Sequence, residues 1–387
     1  MRPPRAERHH LYLASNLWDG LWIIQQPLCR EIGRTERVLY VERFVSLFTI
    51  LRYPRFWRRA FAWMRGVRLV EPNVYVLAAL PLIHLGHRFP RLYRAEMAVQ
   101  RRWILFWARR VTAGHRVLWV DTPVYESAVG TMGERLAVYH VGDEITAFKE
   151  SHAETMQALE GSLLAKVDVV FAASEELARD KRARNPHTFT VWNAVDPAAF
   201  GASDTPLPAD VASIPSPRVA FVGTIDDWVD IPLLVNTATV LPDINFVIVG
   251  PSHVDESALR ALPNVFVLGP RPRIEIPGIL GACKASLVPF VHSALTRRLV
   301  PLKVFEALAA GIMPVSTDFS PDLVHLARQD LLHIATDGAS FAAQVKEAVA
   351  SDTPARRERL SEYGLRQTWG QRWRQMDDVL ENVPMKC

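Results

Sequence analysis

The chain has 387 residues, 49% of them hydrophobic, which is long enough for two α/β domains and too apolar for a disordered protein. Its formal net charge of +4 hides an asymmetry: residues 1–110 hold 20 Arg, no Lys and 7 Asp plus Glu, a net of +13, leaving −9 for the rest. Three cysteines, Cys29, Cys283 and Cys387, lie far apart without metal-ligand spacing, so neither a disulfide framework nor a thiolate metal site is expected, and a reducing cytoplasm is.

The basic excess has two readings. Either the N-terminal part meets an anionic partner, or the arginines form a solvated face. No nucleic-acid recognition motif accompanies them, so a membrane surface is the expected anionic partner. Met1 to His10 is basic but is not followed by a long apolar core, so no signal peptide is expected. No stretch approaches the ~20 apolar residues of a membrane span. The most apolar candidate, Val74 to Leu85, is interrupted by Pro81 and His84. Membrane contact, on this reading, comes from the side.

In chain order, Leu11 to Ser15 reads as a buried strand, followed by the turn-rich loop Asn16 to Gly20 and a helix from about Leu21 to Ile32 with Gly33 as its cap. Arg37 to Val41 is a second strand. This β-loop-α-β order opens a doubly wound parallel sheet, whose ligands bind at the carboxyl ends of the strands. Trp18, Asp19 and Gly20 lie in the first such loop. Within Arg52 to Arg68, a helix after Pro54 would group Phe56, Trp57, Ala60, Phe61 and Met64 on one side, with Arg55, Arg58, Arg59 and Arg65 largely outside that stripe. Such a helix suits a membrane interface, or else packs on a core with arginine stems shielding its flanks. Arg88 to Arg110 is a second basic and aromatic stretch. Arg116 to Val120 and Leu136 to His140 return to strand. A histidine with a nearby carboxylate, here His140 and Asp143, can position or deprotonate a hydroxyl; the alternative is a satisfied loop histidine and a capping aspartate. Val167 to Ala173 is a strand leading to a helix capped by Ser174, and Phe189 to Trp192 leads into Asn193 to Phe200.

Pro206, Pro208, Pro215 and Pro217 mark the best domain boundary. Arg218 to Val222 starts a second sheet, with Gly223 and Thr224 opening its first loop. The string Asp226 to Asp230 mimics the metal-binding aspartates of prenyl synthases, but those belong to all-helical folds and this string follows a strand. Strands follow at Phe246–Val249, Val265–Leu268 and Ala285–Val288, the last stopping at Pro289. After a polar loop, Pro301 stands where a first helical turn begins, and the short helix ends at Gly311, suited to a left-handed cap. Ile312 to Ser316 is the next strand. Lys303 in the first turn and Glu306 on roughly the same face make a cradle for phosphate and sugar hydroxyls, because free N–H groups and the helix dipole attract anions. The plainer reading is an ordinary i,i+3 pair. A last helical region, Arg357 to Leu380, carries Trp369 and Trp373.

Pro301, Lys303, Glu306, Ala309, Gly311, Pro314 and Val315 stand in the pattern P-x-K-x-x-E-x-x-A-x-G-x-P-V. This resembles the nucleotide-sugar site of the GT-B glycosyltransferases, in particular the retaining enzymes of glycosyltransferase family 4 and the bacterial branch of the group 1 transferases. The resemblance implies that Glu306 holds the nucleotide's ribose and that the basic residue faces the diphosphate. Arg298 stands where many relatives have a second glutamate. Asn193 to Phe200 resembles the family's P-N-G-V-D-x-x-x-F element, with Trp192 and Ala194 in place of proline and glycine. The family's approach of a glycine to the donor phosphates maps onto Gly223. A common downstream Arg and Lys are replaced by Asp226, Asp227 and Asp230, which leaves Arg297, Arg298 and Lys303 as the implied diphosphate partners. The Trp18-Asp19 segment is similar to the opening of that bacterial branch but lacks its paired glycines. His140 and Asp143 are the positions carried over at the strand end that reaches the family's cleft.

The resulting expectation is an α/β protein of GT-B type, two Rossmann-like doubly wound domains facing each other across a cleft. Residues 1–205 would bind the acceptor, with 361–387 packing back on them, and 216–360 would bind the nucleotide-sugar. The implied reaction moves a sugar from that donor to an acceptor sugar or lipid-linked saccharide, as in cell-surface polysaccharide or glycolipid synthesis, with retention and with no cofactor. No D-x-D triad of metal-dependent transferases is present, so helix N-termini and basic side chains would offset the leaving diphosphate's charge. The expected location is cytoplasmic, peripheral on the inner face of the plasma membrane. Two alternatives share the fold: a sugar-nucleotide epimerase or phosphorylase, and a non-catalytic nucleotide-sugar-binding subunit, which the Arg298 departure permits.

Overall fold

A computed structural model of the chain describes residues 8–20, 22–53, 57, 60–81, 83, 90–112, 114–142, 153–200 and 207–383. The chain forms two compact units. The first comprises Met1–Ala172, Leu177–Val191 and Trp373–Cys387; the second comprises Ala173–Glu176 and Trp192–Arg372.

The first unit is built on eight strands: β1 (Arg8–Leu13), β2 (Arg37–Val41), β3 (Val67–Glu71), β4 (Val74–Leu77), β5 (His115–Val120), β6 (Leu136–Val141), β7 (Val169–Ala172) and β8 (Thr188–Thr190). Their spatial order is β3-β4-β2-β1-β5-β6-β7-β8, parallel throughout except for β3 against β4. Leu11 pairs with Leu39 on one side and Leu118 on the other, so β1 is central and buried on both faces. That is why these strands read as near-continuous apolar runs and not as alternating ones. Helices α1 (Gln25–Gly33), α2 (Leu47–Arg52), α3 (Pro90–Val111), α4 (Ala153–Lys166) and α5 (Glu175–Arg182) accompany the sheet.

Three expectations change here. The first strand starts at Arg8, not Leu11, because its polar start is neutralised: Arg8 binds Glu36 and Asp377, and buried His10 meets Glu36 at 2.7 Å and accepts the Trp119 indole N–H at 2.9 Å. Gly33 is not a cap but the last residue of α1. A Cβ there would lie 2.4 Å from Val74 Cγ2, so glycine admits the neighbouring strand, while Arg34 takes the cap position. The helix expected after Pro54 is broken in what is described: Ala62–Arg65 is a single 3-10 turn, Gly66 takes a φ of 65°, and β3 begins at Val67. Arg55, Arg58 and Arg59 lie outside the described residues.

The second unit holds α6 (Pro197–Phe200), α7 (Ala209–Ala212), β9 (Arg218–Val222), α8 (Ile231–Val240), β10 (Asn245–Val249), α9 (Ser257–Arg260), β11 (Val265–Gly269), α10 (Ile276–Gly281), β12 (Ala285–Val288), α11 (Leu302–Ala309), β13 (Met313–Thr317), α12 (Pro321–Ala327), β14 (His333–Ala335), α13 (Gly338–Ala350) and α14 (Pro354–Arg366). Its six parallel strands run β11-β10-β9-β12-β13-β14, the order 3-2-1-4-5-6 of a dinucleotide-binding fold. The order reverses between β9 and β12, so a crevice opens at their carboxyl ends. The last helical region is two helices. The chain breaks at Gln367, and Thr368 Oγ1 accepts the Gln371 N–H to start α15 (Trp369–Asn382).

Candidate functional site

The carboxyl ends of β9 and β10 carry two glycines, Gly223 and Gly250, both at φ 144°. Side chains rarely adopt that backbone, and space forbids them as well: a Cβ on Gly250 would lie 1.9 Å from the Gly223 carbonyl oxygen. Bare backbone therefore lines the switch point. From the other side, Pro301 caps the start of α11 in an extended conformation, and Gly311 at φ 75° ends it, as the sequence predicts. Lys303, in the first turn, reaches back so far that its Nζ would lie 2.7 Å from a Gly223 Cβ. The ammonium stands 4.0 Å from the Phe221 ring centroid and 4.8 Å from that of Phe290. Burial pulls its pKa down to about 7, with Glu306 acting in the opposite sense.

Glu306 is 8% exposed, and burial raises its pKa against the pull of Arg273 and Lys303. Arg273, which lies in a 3-10 turn after β11, approaches it at 3.4 Å. Sequence reading missed Arg273 and Gly250, since both reach the crevice from neighbouring strands and carry no motif of their own. Gly223, Lys303 and Glu306 are thus brought together, with Thr224 half-buried beside Gly223. Arg297 and Arg298 sit on a 3-10 turn in the preceding loop. Arg297 meets Glu176 at 3.5 Å, and Arg298 donates to the Ala294 carbonyl at 2.9 Å. The loop itself is fixed: Thr296 Oγ1 donates to the Val291 carbonyl, Ser174 to that of Arg298, and Asn193 to that of Val300. Such a site is preorganised for an anion, with helix N–H groups, bare backbone and a cation already in place.

In the first unit, Trp18 is buried, donates its backbone N–H to Glu42 and packs edge-on against Tyr40. Asp19 is exposed and pairs with Arg68 at 2.7 Å, and Gly20 closes a turn onto the Leu17 carbonyl. His140 lies inside β6, 4% exposed, with Nδ1 3.0 Å from the Tyr12 hydroxyl. Burial lowers its pKa to about 4, so the ring is neutral at pH 7. Asp143 lies outside the described residues.

A second polar group at the carboxyl edge of this sheet escaped the sequence reading. Asp121, just past β5, accepts hydrogen bonds at Oδ2 from Ser15 N and Oγ and from Gln25 Nε2, each at 2.9 Å. Burial pushes its pKa up to about 6. Asp121 Oδ1 and Gln25 Oε1 are both buried and have no hydrogen-bond partner among the described residues. Their separation by 96 positions hides the pairing from any local pattern.

Comparison with known proteins adds the class. Residues 216–351 match the family model described as Glycosyl transferases group 1. A putative teichuronic acid biosynthesis glycosyltransferase, TuaH of Bacillus subtilis (strain 168), is 29% identical over 181 residues, 44% of this chain and 45% of that one. The match spans about half the length of that relative. Among solved structures, sucrose-phosphate synthase of Thermosynechococcus elongatus superposes with a TM-score of 0.69 at 14% identity, covering 96% of this chain and 98% of its own. HepE of Anabaena in complex with UDP gives 0.67 at 14%, covering 97% and 100%. Trehalose-6-phosphate synthase OtsA gives 0.68 at 11%, covering 98% and 100%. The fold is that of the GT-B glycosyltransferases, as the sequence resemblance implies. The stretch that matches the group 1 model, residues 216–351, lies within the second unit.

Proposed function

We propose that the protein transfers a sugar from a nucleoside diphosphate donor, held in the second unit, to a hydroxyl of an acceptor held by the first. The observation that carries this reading is the Lys303 ammonium set against Gly223 at the sheet's switch point, inside the segment that matches the transferase family. Lys303 and the α11 N-terminus would take the diphosphate and offset the charge it gains on leaving, with no metal required for that offset. Glu306 would accept from the ribose hydroxyls, exchanging its Arg273 partner for them. Arg297 and Arg298 would lie further along the same phosphates. UDP is the nucleotide bound by the related HepE structure, which makes it the first base to test.

On the acceptor side, the unpaired oxygens of Asp121 and Gln25 would take a sugar hydroxyl. His140 would assist through Nε2, with Tyr12 accepting from Nδ1–H so that Nε2 is left as the basic nitrogen. Asp143, Trp18, Asp19 and Gly20 complete the proposed acceptor side. Retention is carried over from the family resemblance. The exposed apolar side chains and arginines among the described residues of 47–110 support a membrane-bound acceptor, such as a lipid-linked saccharide in polysaccharide synthesis, approached from the cytoplasmic side. The test is a panel of nucleotide sugars incubated with a lipid extract, with mass detection of released nucleotide and glycosylated product. One donor should yield both, with or without a chelator. Epimerised donor or sugar phosphate without transfer would replace this reading, and binding without turnover would leave only a binding subunit.

A further inference from the structure

We infer that the first unit holds a second binding site, a cavity between α3 and the 3-10 segment Pro123–Ala128 that takes a phosphate head on an apolar stem. The cavity has a volume of about 300 Å³, in the range of small-ligand pockets. Its walls are mostly apolar: Met97, Ala98 and Ile104 from α3, Ala128 from the facing segment and Met132 just beyond it, with Tyr125 and Ser127 beside them. Apolar walls alone would admit any short hydrocarbon. The polar groups narrow the choice.

Gln100 lines the cavity and is 2% exposed. Its Oε1 accepts the Leu80 N–H at 3.0 Å, which fixes the amide so that Nε2 is the remaining donor. That Nε2 is buried and has no acceptor among the described residues. An unmatched buried donor is costly unless a ligand supplies the acceptor. Arg101, half-buried, lines the same cavity, has no ion-pair partner among the described residues, and is joined by exposed Arg94. No carboxylate lines it. The Arg101 guanidinium and the Gln100 amide donor over a largely apolar floor fit an acceptor-rich anion with a hydrocarbon attached. Guanidinium forks match phosphate oxygens in pairs. A free sugar would strand most of its hydroxyls on walls that are largely apolar, and inorganic phosphate would leave those walls unfilled.

Calorimetric titration with decyl phosphate below its micelle concentration, decanol and inorganic phosphate tests the site. Decyl phosphate should bind at least tenfold more tightly than decanol, and inorganic phosphate should give no heat at millimolar concentration. Ala98→Trp, which fills the cavity from the half-exposed side of α3, should weaken decyl phosphate at least tenfold. Arg101→Gln should weaken it about tenfold and leave decanol unchanged; this milder variant carries the test if Ala98→Trp fails to fold. UDP affinity should be equal in all three proteins, so failure here is distinguishable from failure of the proposed transferase. Equal binding of decanol and decyl phosphate, or undiminished decyl phosphate binding in either folded variant, overturns the inference.

Discussion

At the scale of the residue, burial has tuned two groups toward neutrality, and each makes a pH dependence. Burial holds the Lys303 ammonium at a pKa of about 7. A bound diphosphate would raise it, so nucleotide-sugar affinity is greatest below pH 7 and falls as pH rises, approaching tenfold per unit until the bound pKa is reached. A nucleotide sugar is the right probe because its diphosphate does not titrate there. A flat affinity from pH 6 to 9 would remove Lys303 from the phosphate site. Asp121 runs the other way. With its pKa near 6 it must lose a proton to accept fully from a hydroxyl, so turnover should rise with pH through about 6 and plateau above. Asp121→Asn should abolish that rise and lower turnover about 100-fold without changing UDP affinity. Unaltered turnover in the variant would return Asp121 to a structural role.

Among the elements, α11 positions the cradle, and its own position is set by α14. Gly364 of α14 lies so close that a Cβ there would stand 2.2 Å from the Ala309 amide nitrogen, while Ser361 Oγ donates to the Ala309 carbonyl at 3.0 Å. Gly364→Val should therefore cost about 1–3 kcal/mol of stability, an ordinary overpacking penalty, and weaken UDP binding by moving Lys303. An unchanged denaturation midpoint would contradict that packing. The elements themselves were legible where burial on both faces makes a strand nearly all apolar: Arg37–Val41, Arg218–Val222 and Ala285–Val288 stand where the sequence places them. The α11 cradle was legible because proline, lysine, glutamate and glycine fall within eleven positions. What escaped depends on partners remote in sequence. Arg8 can be half-buried because Glu36 and Asp377 meet it, and Gly33 serves a neighbouring strand and not its own helix. Arg273 and Asp121 acquire meaning only once the sheets bring strand ends together.

For the whole molecule, the charge asymmetry has a counterpart in which side chains are exposed. Most exposed large apolar side chains among the described residues fall between 47 and 106, including Leu51, Trp57, Phe61, Met64 and Phe106. Exposed Arg65 and Arg102 fall in the same stretch and exposed Arg109 and Arg110 just after it, and no described helix is long and apolar enough to cross a membrane. Basic residues near an anionic leaflet contribute about 1 kcal/mol each, and the apolar side chains add a part that salt does not remove. Co-sedimentation with anionic vesicles should fall with salt, fall further in Arg102→Glu/Arg109→Glu, and lose its salt-resistant part in Leu51→Ser/Phe61→Ser/Met64→Ser. No attachment at low salt would make a soluble acceptor the better reading. The most direct test of the nucleotide site is a paired titration of UDP and uridine into wild type, Lys303→Ala and Glu306→Ala. Lys303→Ala should lose UDP affinity and keep that for uridine, whereas Glu306→Ala should lose both by roughly 10- to 100-fold, the worth of a hydrogen bond to a charged group. Equal losses for the two ligands in Lys303→Ala, or unchanged affinities in folded Glu306→Ala, would contradict the assignment of this crevice to a nucleoside diphosphate donor.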